Sequence, residues 1–162
     1  MRRSWPVGAV MLAAAMAAGA APSAALAQGD ARARMRPEDA ARLAQWRDEV
    51  QNIYINLNPG NFTGISPLTV RQMLDRQPAA LNAAALPGTW RCRNVQFSMT
   101  GAFGYPPFQC RIRATPDGLF FEKISGSQRL SGMLLPDDAQ SLVLLAGATV
   151  NQEPQRRYLG DG

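Results

Sequence analysis

Residues 88–123 read GTWRCRNVQFSMTGAFGYPPFQCRIRATPDGLFFEK, and this stretch decides the class of fold. Its segments 89–97, 107–114 and 119–124 are short runs rich in β-branched and aromatic side chains. Between the last two stands Thr115-Pro116-Asp117-Gly118, a tight turn in which Pro presets one backbone angle and Gly accepts a left-handed one. Two further runs, 128–135 and 141–150, flank a second turn at Pro136-Asp137-Asp138. Five successive strands on short links make an antiparallel meander, either a curled sheet or part of a small barrel.

Upstream of Gly88 the periodicity is helical. Leu43, Trp46, Val50, Ile53 and Leu57 recur at steps of three and four, one stripe along a helix that opens at Pro37 and stops at Asn58-Pro59-Gly60. Glu38 and Asp39 occupy its first turn, where the helix dipole favours negative charge. Residues 61–65 read as a turn-rich link, Ser66-Pro67 as the cap and first turn of a helix running to about Arg76, and 79–86 as one more short helix. The expected class is therefore α+β: N-terminal helices over 37–87, then an antiparallel β-meander over 88–162, a curled sheet or incomplete small barrel. Five strands are few for closure, so one edge stays open or lies under the Trp46 helix. The ending Tyr158-Leu159-Gly160-Asp161-Gly162 reads as a strand breaking into a turn, with a truncated C-terminus as the expectation.

The other end of the chain has the layout of a cleavable export signal. Arg2 and Arg3 precede an apolar stretch at 7–20 and the small-residue site Ala25-Leu26-Ala27, which predicts a signal peptide over 1–27 cut near Ala27. The apolar stretch is too short to anchor in a bilayer, and no Cys follows the cut to carry a lipid. The basic pair also fits a twin-arginine signal, but any export signal needs a basic start, so the ordinary export route is the expectation. Residues 28–36 read as a flexible lead-in. Periplasm or secretion is the expected location, and a soluble mature chain with 15 basic and 12 acidic residues makes a nucleic-acid partner unexpected.

In an oxidising compartment the chain's two cysteines, Cys92 and Cys110, are expected to form one disulfide. There is no His to activate a thiol or to complete a zinc site. Placing Cys92 directly opposite Cys110 sets Arg91 against Arg111 and Trp90 against Ile112. Trp90, Cys92, Phe108, Cys110 and Ile112 then share a buried face, while Arg91, Arg93, Arg111 and Arg113 share the other. Four cations on one patch either receive an anionic ligand or partner, or fan apart onto nearby acids such as Glu122. The 98–107 loop carries Phe103 and Tyr105, which either meet a partner or fold back to plug the open end of the sheet.

Catalytic constellations are scarce. Asp137-Asp138 is ordinary turn chemistry, and Lys123 with Ser125 or Ser127 is a nominal dyad that no spacing singles out. No phosphate-binding glycine loop and no metal-ligand cluster is present, so no enzyme activity, cofactor or metal is expected.

Gly88-Thr89-Trp90-Arg91-Cys92-Arg93, Phe108-Gln109-Cys110-Arg111-Ile112, Ser125-Gly126-Ser127-Gln128-Arg129, Ser131-Gly132 and Pro136-Asp137, in that order, resemble the domain of unknown function 4893 family of alphaproteobacterial exported proteins. The likeness covers about 88–162 and implies an exported protein with paired Cys and no assigned activity. Gly88-Thr89-Trp90 is also similar, more weakly, to the opening of lipocalin-like periplasmic barrels. The expectation that follows is a non-enzymatic binding or inhibitor-like module acting on an envelope protein. Its alternatives are a carrier of a small apolar or anionic ligand, and a structural or stress-associated envelope protein.

Overall fold

The computed structural model describes residues 30–158. The signal read at 1–27 and the ending read at 159–162 lie outside the described residues. In chain order the elements are α1 (Asp30–Ala33), α2 (Pro37–Asn56), β1 (Phe62–Thr63), α3 (Pro67–Leu74), β2 (Gly88–Cys92), β3 (Val95–Ser98) and β4 (Gly101–Gly104). They continue with β5 (Phe108–Thr115), β6 (Gly118–Lys123), β7 (Gln128–Pro136) and β8 (Leu142–Val150). Strands β2-β5-β6-β7-β8 form an antiparallel sheet, and β1-β4-β3 form a second, smaller one. Neither sheet closes, so the fold is α+β with an open curled sheet.

The helices form where the sequence places them. Pro37 opens α2 and Glu38 and Asp39 fill its first turn. Ser66 caps α3 by accepting from the Thr69 N–H at 3.1 Å. The α2 stripe is only partly covered: Ile53 is buried, whereas Trp46 is 45% exposed. Tyr54 meets Phe62 edge-on at 6.0 Å and donates to the Pro67 carbonyl at 3.4 Å, tying α2 to the start of α3. Of the helix expected at 79–86 only a 3-10 turn forms, at Ala83–Ala85.

The lead-in expected over 28–36 needs correction in its middle. Residues 30–33 form α1, and Ala31 is 0% exposed against Leu135 and Leu145 of the large sheet. One methyl fitted between two strands has no periodicity, so composition alone reads as a tail.

The run 89–97 is likewise not one strand. It divides between β2 and β3, which belong to different sheets. At the junction Arg93 turns away: its guanidinium donates to the carbonyls of Tyr105 and Gly64, and the Tyr105 N–H donates to the Asn94 carbonyl at 3.0 Å. Gly64, at φ 69°, and Gly104 approach so closely that a Cβ on either would strike the other's segment. The link expected at 61–65 thus contains β1, which runs parallel to β4, and the loop expected at 98–107 contains β4 itself.

The register of the first pairing also differs from expectation. Cys92 pairs with Phe108 and Cys110 with Trp90, a two-residue slide that makes the bridged cysteines diagonal neighbours with Cα atoms 6.0 Å apart. A slide of two preserves faces, so Trp90 stays beside Cys110 and Arg91 stays across from it. Trp90 is nonetheless 44% exposed, its indole N–H donating to the Leu86 carbonyl at 2.8 Å.

The bridge clamps β2 and β5 at the root of the β3–β4 hairpin. Replacing both cysteines by Ala should lower unfolding free energy in urea by about 3 kcal/mol on the chain-entropy account. Amide exchange should accelerate most in β3 and β4, with β7 and β8 least affected.

Candidate functional site

Alternation along the large sheet gathers the candidate side chains onto one face. Arg111 stands opposite Glu122, Arg113 opposite Phe120, Phe120 opposite Met133, and Met133 opposite Leu145. A polar, cationic half on β5 therefore passes without a break into an apolar floor on β7 and β8.

On the cationic half, Arg111 and Arg113 converge on a single carboxylate oxygen, Glu122 Oε2, at 3.0 and 3.1 Å. Burial pushes the Glu122 carboxyl up, but the hydrogen bonds and charges of Arg113 and Arg111 outweigh it and hold the group below the ordinary Glu value. Arg113 also lies 5.2 Å over the Phe120 ring. Arg91 shares this face but pairs with Gln109, and Arg93 is withdrawn to its two carbonyls, so the expected four-arginine patch is a three-arginine one with a shared acid. Phe103 and Tyr105 sit on the small sheet, rings 5.1 Å apart, with Tyr105 donating to Gln96 and Phe103 45% exposed.

Over the apolar floor the chain builds a cleft of about 650 Å³. Its floor is Phe120, Met133, Leu135 and Leu145, with Ser131 and Thr115 as hydroxyls. Its rim is Arg34 from α1's flank and Arg156, Arg157 and Tyr158 from the segment following β8. That segment can lie on the sheet because Gly147 has no side chain: a Cβ there would sit about 2.5 Å from the Arg156 carbonyl oxygen. Tyr158 then accepts from the Arg36 N–H at 3.0 Å and donates to Asp39 at 2.5 Å, locking the segment to the start of α2. The Tyr158 and Arg36 contacts hold Asp39 below the ordinary Asp value.

The family model for the domain of unknown function (DUF4893) matches residues 31–161. The chain belongs to the domain of unknown function 4893 family. The match begins inside α1, so the helical part, the disulfide strands and the cleft rim are all within the family domain. No curated protein and no solved structure matches this chain.

Elsewhere in this member of the family, Lys123 and its neighbouring serines are engaged separately. Lys123 Nζ lies 3.6 Å over the Phe108 ring and donates to the Gln128 carbonyl, while Ser125 accepts from the Gln109 N–H at 2.8 Å. Burial pushes the Lys123 ammonium below its ordinary value. Arg34, Arg156 and Arg157 are the rim residues that reading along the sequence missed. The adjacent pair Arg156-Arg157 followed by Tyr158 was their one visible trace.

Because Glu122 is depressed in the folded state, its contribution to stability is full above its ordinary value of 4.5 and is lost as pH falls below that through the folded value. Urea midpoints of the native protein and of Glu122→Gln should therefore differ most near neutral pH. The gap should narrow progressively below about pH 4.5, once the native carboxyl protonates.

Proposed function

We propose that this protein is an exported, non-enzymatic binding module whose cleft takes a small amphipathic anion. The carrying observation is that Arg156 and Arg157 border the apolar floor of Phe120, Met133, Leu135 and Leu145 within one cleft of about 650 Å³. Cleft size and mixed lining are those of a small-molecule site, where apolar surface supplies affinity and a few polar groups set orientation. Arg156 and Arg157 supply the positive charge that favours a negative head group, Arg156 also pairing with Glu153 at 3.5 Å in an exposed contact. Guanidinium forks suit a carboxylate or phosphate, and the floor suits a short hydrocarbon body.

Export is supported by the N-terminal layout of the sequence and by the bridged Cys92 and Cys110. No helix among the described residues is long and apolar enough to cross a membrane. The non-enzymatic reading rests on the absence of His from the chain and on the separate engagement of Lys123 and Ser125.

Thermal shift tests the cleft directly. Decanoate at about ten times its Kd should raise the melting midpoint by about 5 °C, and decyltrimethylammonium should not. Met133→Trp, which fills the floor, and the pair Arg156→Ala, Arg157→Ala should each abolish the response. Equal shifts with the cationic amphiphile, or an undiminished shift in both variants, would refute an anion site here.

A further inference from the structure

A second cleft, of about 580 Å³, runs beside the first and has a different construction. Residues 143–148 of β8 all line it, although their side chains alternate between the two faces of the sheet. Only the edge of a strand is common to both faces, so this cleft follows the outer edge of β8. Its facing wall is Leu43 and Trp46 of α2.

The hydrogen bonds at the two ends of the β7–β8 ladder show what that edge offers. The Asn151 N–H donates to the Ser127 carbonyl at 2.7 Å, and at the other end the Asp137 N–H donates to the Ser141 carbonyl at 3.1 Å. Counting inward by twos, Val143, Leu145, Gly147 and Thr149 turn their backbone groups to β7. Leu144, Ala146, Ala148 and Val150 turn theirs outward. Val150 bears this out, since its N–H donates to Glu153 Oε2 and its carbonyl accepts from the Glu153 N–H, both at 3.1 Å. Glu153 thus ends the free edge at Val150, and no strand of the described residues pairs with the remainder. Natural edges are usually guarded by a charge, a Pro or a bulge, and Leu142–Val150 has neither charge nor Pro.

We infer that this groove docks an extended, apolar segment of a partner protein flanked by acidic residues, which adds to the sheet as a sixth strand beside β8. Main-chain bonds to Leu144, Ala146 and Ala148 would hold it, with alternate side chains against Leu43 and Trp46. The six edge residues span about 20 Å, room for about six residues of ligand. Charge selects the occupant. Arg36, Arg42, Arg156 and Arg157 line the groove; Arg36 pairs with Glu38 and Asp39, Arg42 with Asp39 and Arg156 with Glu153, so four cations meet three acids and positive charge is in excess. A second copy's β8 carries no acid to meet them and would bring its own arginines into apposition.

The probe is a fluorescein-labelled peptide, Asp-Glu-Val-Thr-Val-Thr-Val-Glu-Asp, titrated with the mature protein by fluorescence anisotropy at low salt, beside sedimentation of the unliganded protein. The wild type should bind it. Lys at the four acidic positions, or Pro for the central Val, should weaken binding at least tenfold. Ala146→Pro removes an outward N–H and no β7 bond, so it should keep the native circular dichroism and lose at least tenfold in affinity. Trp46→Ser alters the opposite wall and should cost at least fivefold. The inference is overturned by no binding to the wild type, by equal binding of the Pro peptide, or by unchanged affinity in both variants. A wild-type dimer that Ala146→Pro converts to monomer would overturn it too, assigning the edge to a second copy. The anion cleft shares Leu145, Arg156, Arg157 and Tyr158 with this groove, so the two readings are told apart by residues that line one of them alone: Ala146→Pro and Trp46→Ser should leave the decanoate response intact, and Met133→Trp should leave peptide affinity unchanged.

Discussion

The Cys92–Cys110 bridge is the constraint from which the arrangement of the sheet follows. It joins β2 to β5 on the diagonal, and between those strands the chain leaves the large sheet, forms the β3–β4 hairpin and returns. Without a covalent root, an excursion of this length would rest on a hairpin of four-residue strands, marginal by itself in water. Arg93 reinforces the root from the other side by bonding the carbonyls of Gly64 and Tyr105. The helical segment is thereby tied to the hairpin through β1, and the two sheets share one junction instead of folding as separate units.

From that root, strand alternation carries a polarity across the face. Arg111 and Arg113 share Glu122, so one negative charge serves two positive ones, and the imbalance lies next to the apolar floor that begins at Phe120. Exposed pairs of this kind contribute little to stability. Their larger effect is on the local field, which the arginines of the segment after β8 extend along the cleft. Ala31, Met35 and Tyr158 pack against Leu135 and Leu145, and Arg34, Arg156 and Arg157 line the same cleft beside that core.

The fold class, the five strands of the large sheet and the helices α2 and α3 were legible in periodicity and turn chemistry, because each records a local preference. The grouping of side chains by face survived an error in register because a two-residue slide leaves parity intact, but the burial expected of the Trp90 face did not: Trp90 is 44% exposed, and the buried Leu145 lies on the arginine face. What escaped were features set by contacts distant in sequence. The division of 89–97 between two sheets is invisible in a continuous β-forming run, and β1 is two residues whose partner lies some forty positions away. Arg93 looked like its neighbours on the strand until Gly64 and Tyr105 were beside it. The cleft rim was missed for the same reason: Arg34 and Arg156 stand together only because Ala31 and Gly147 let their segments lie close to the sheet.

The exposed stripe of α2 and the open edge of β8 are two aspects of one packing choice. A helix carrying Leu43, Trp46 and Ile53 on one stripe ordinarily lays all of it on a sheet face. Here Ile53 is buried, while Leu43 and Trp46 face the β8 edge across a gap. The gap persists because Tyr158 holds the start of α2 through Arg36 and Asp39, a polar contact that spaces the helix from the strand. Closing it would satisfy both surfaces within the chain, and the cost would be Leu144, Ala146 and Ala148, the outward-facing residues of β8 that Glu153 does not bond and whose backbone groups a helix cannot pair. An extended segment is the element that can satisfy both walls at once.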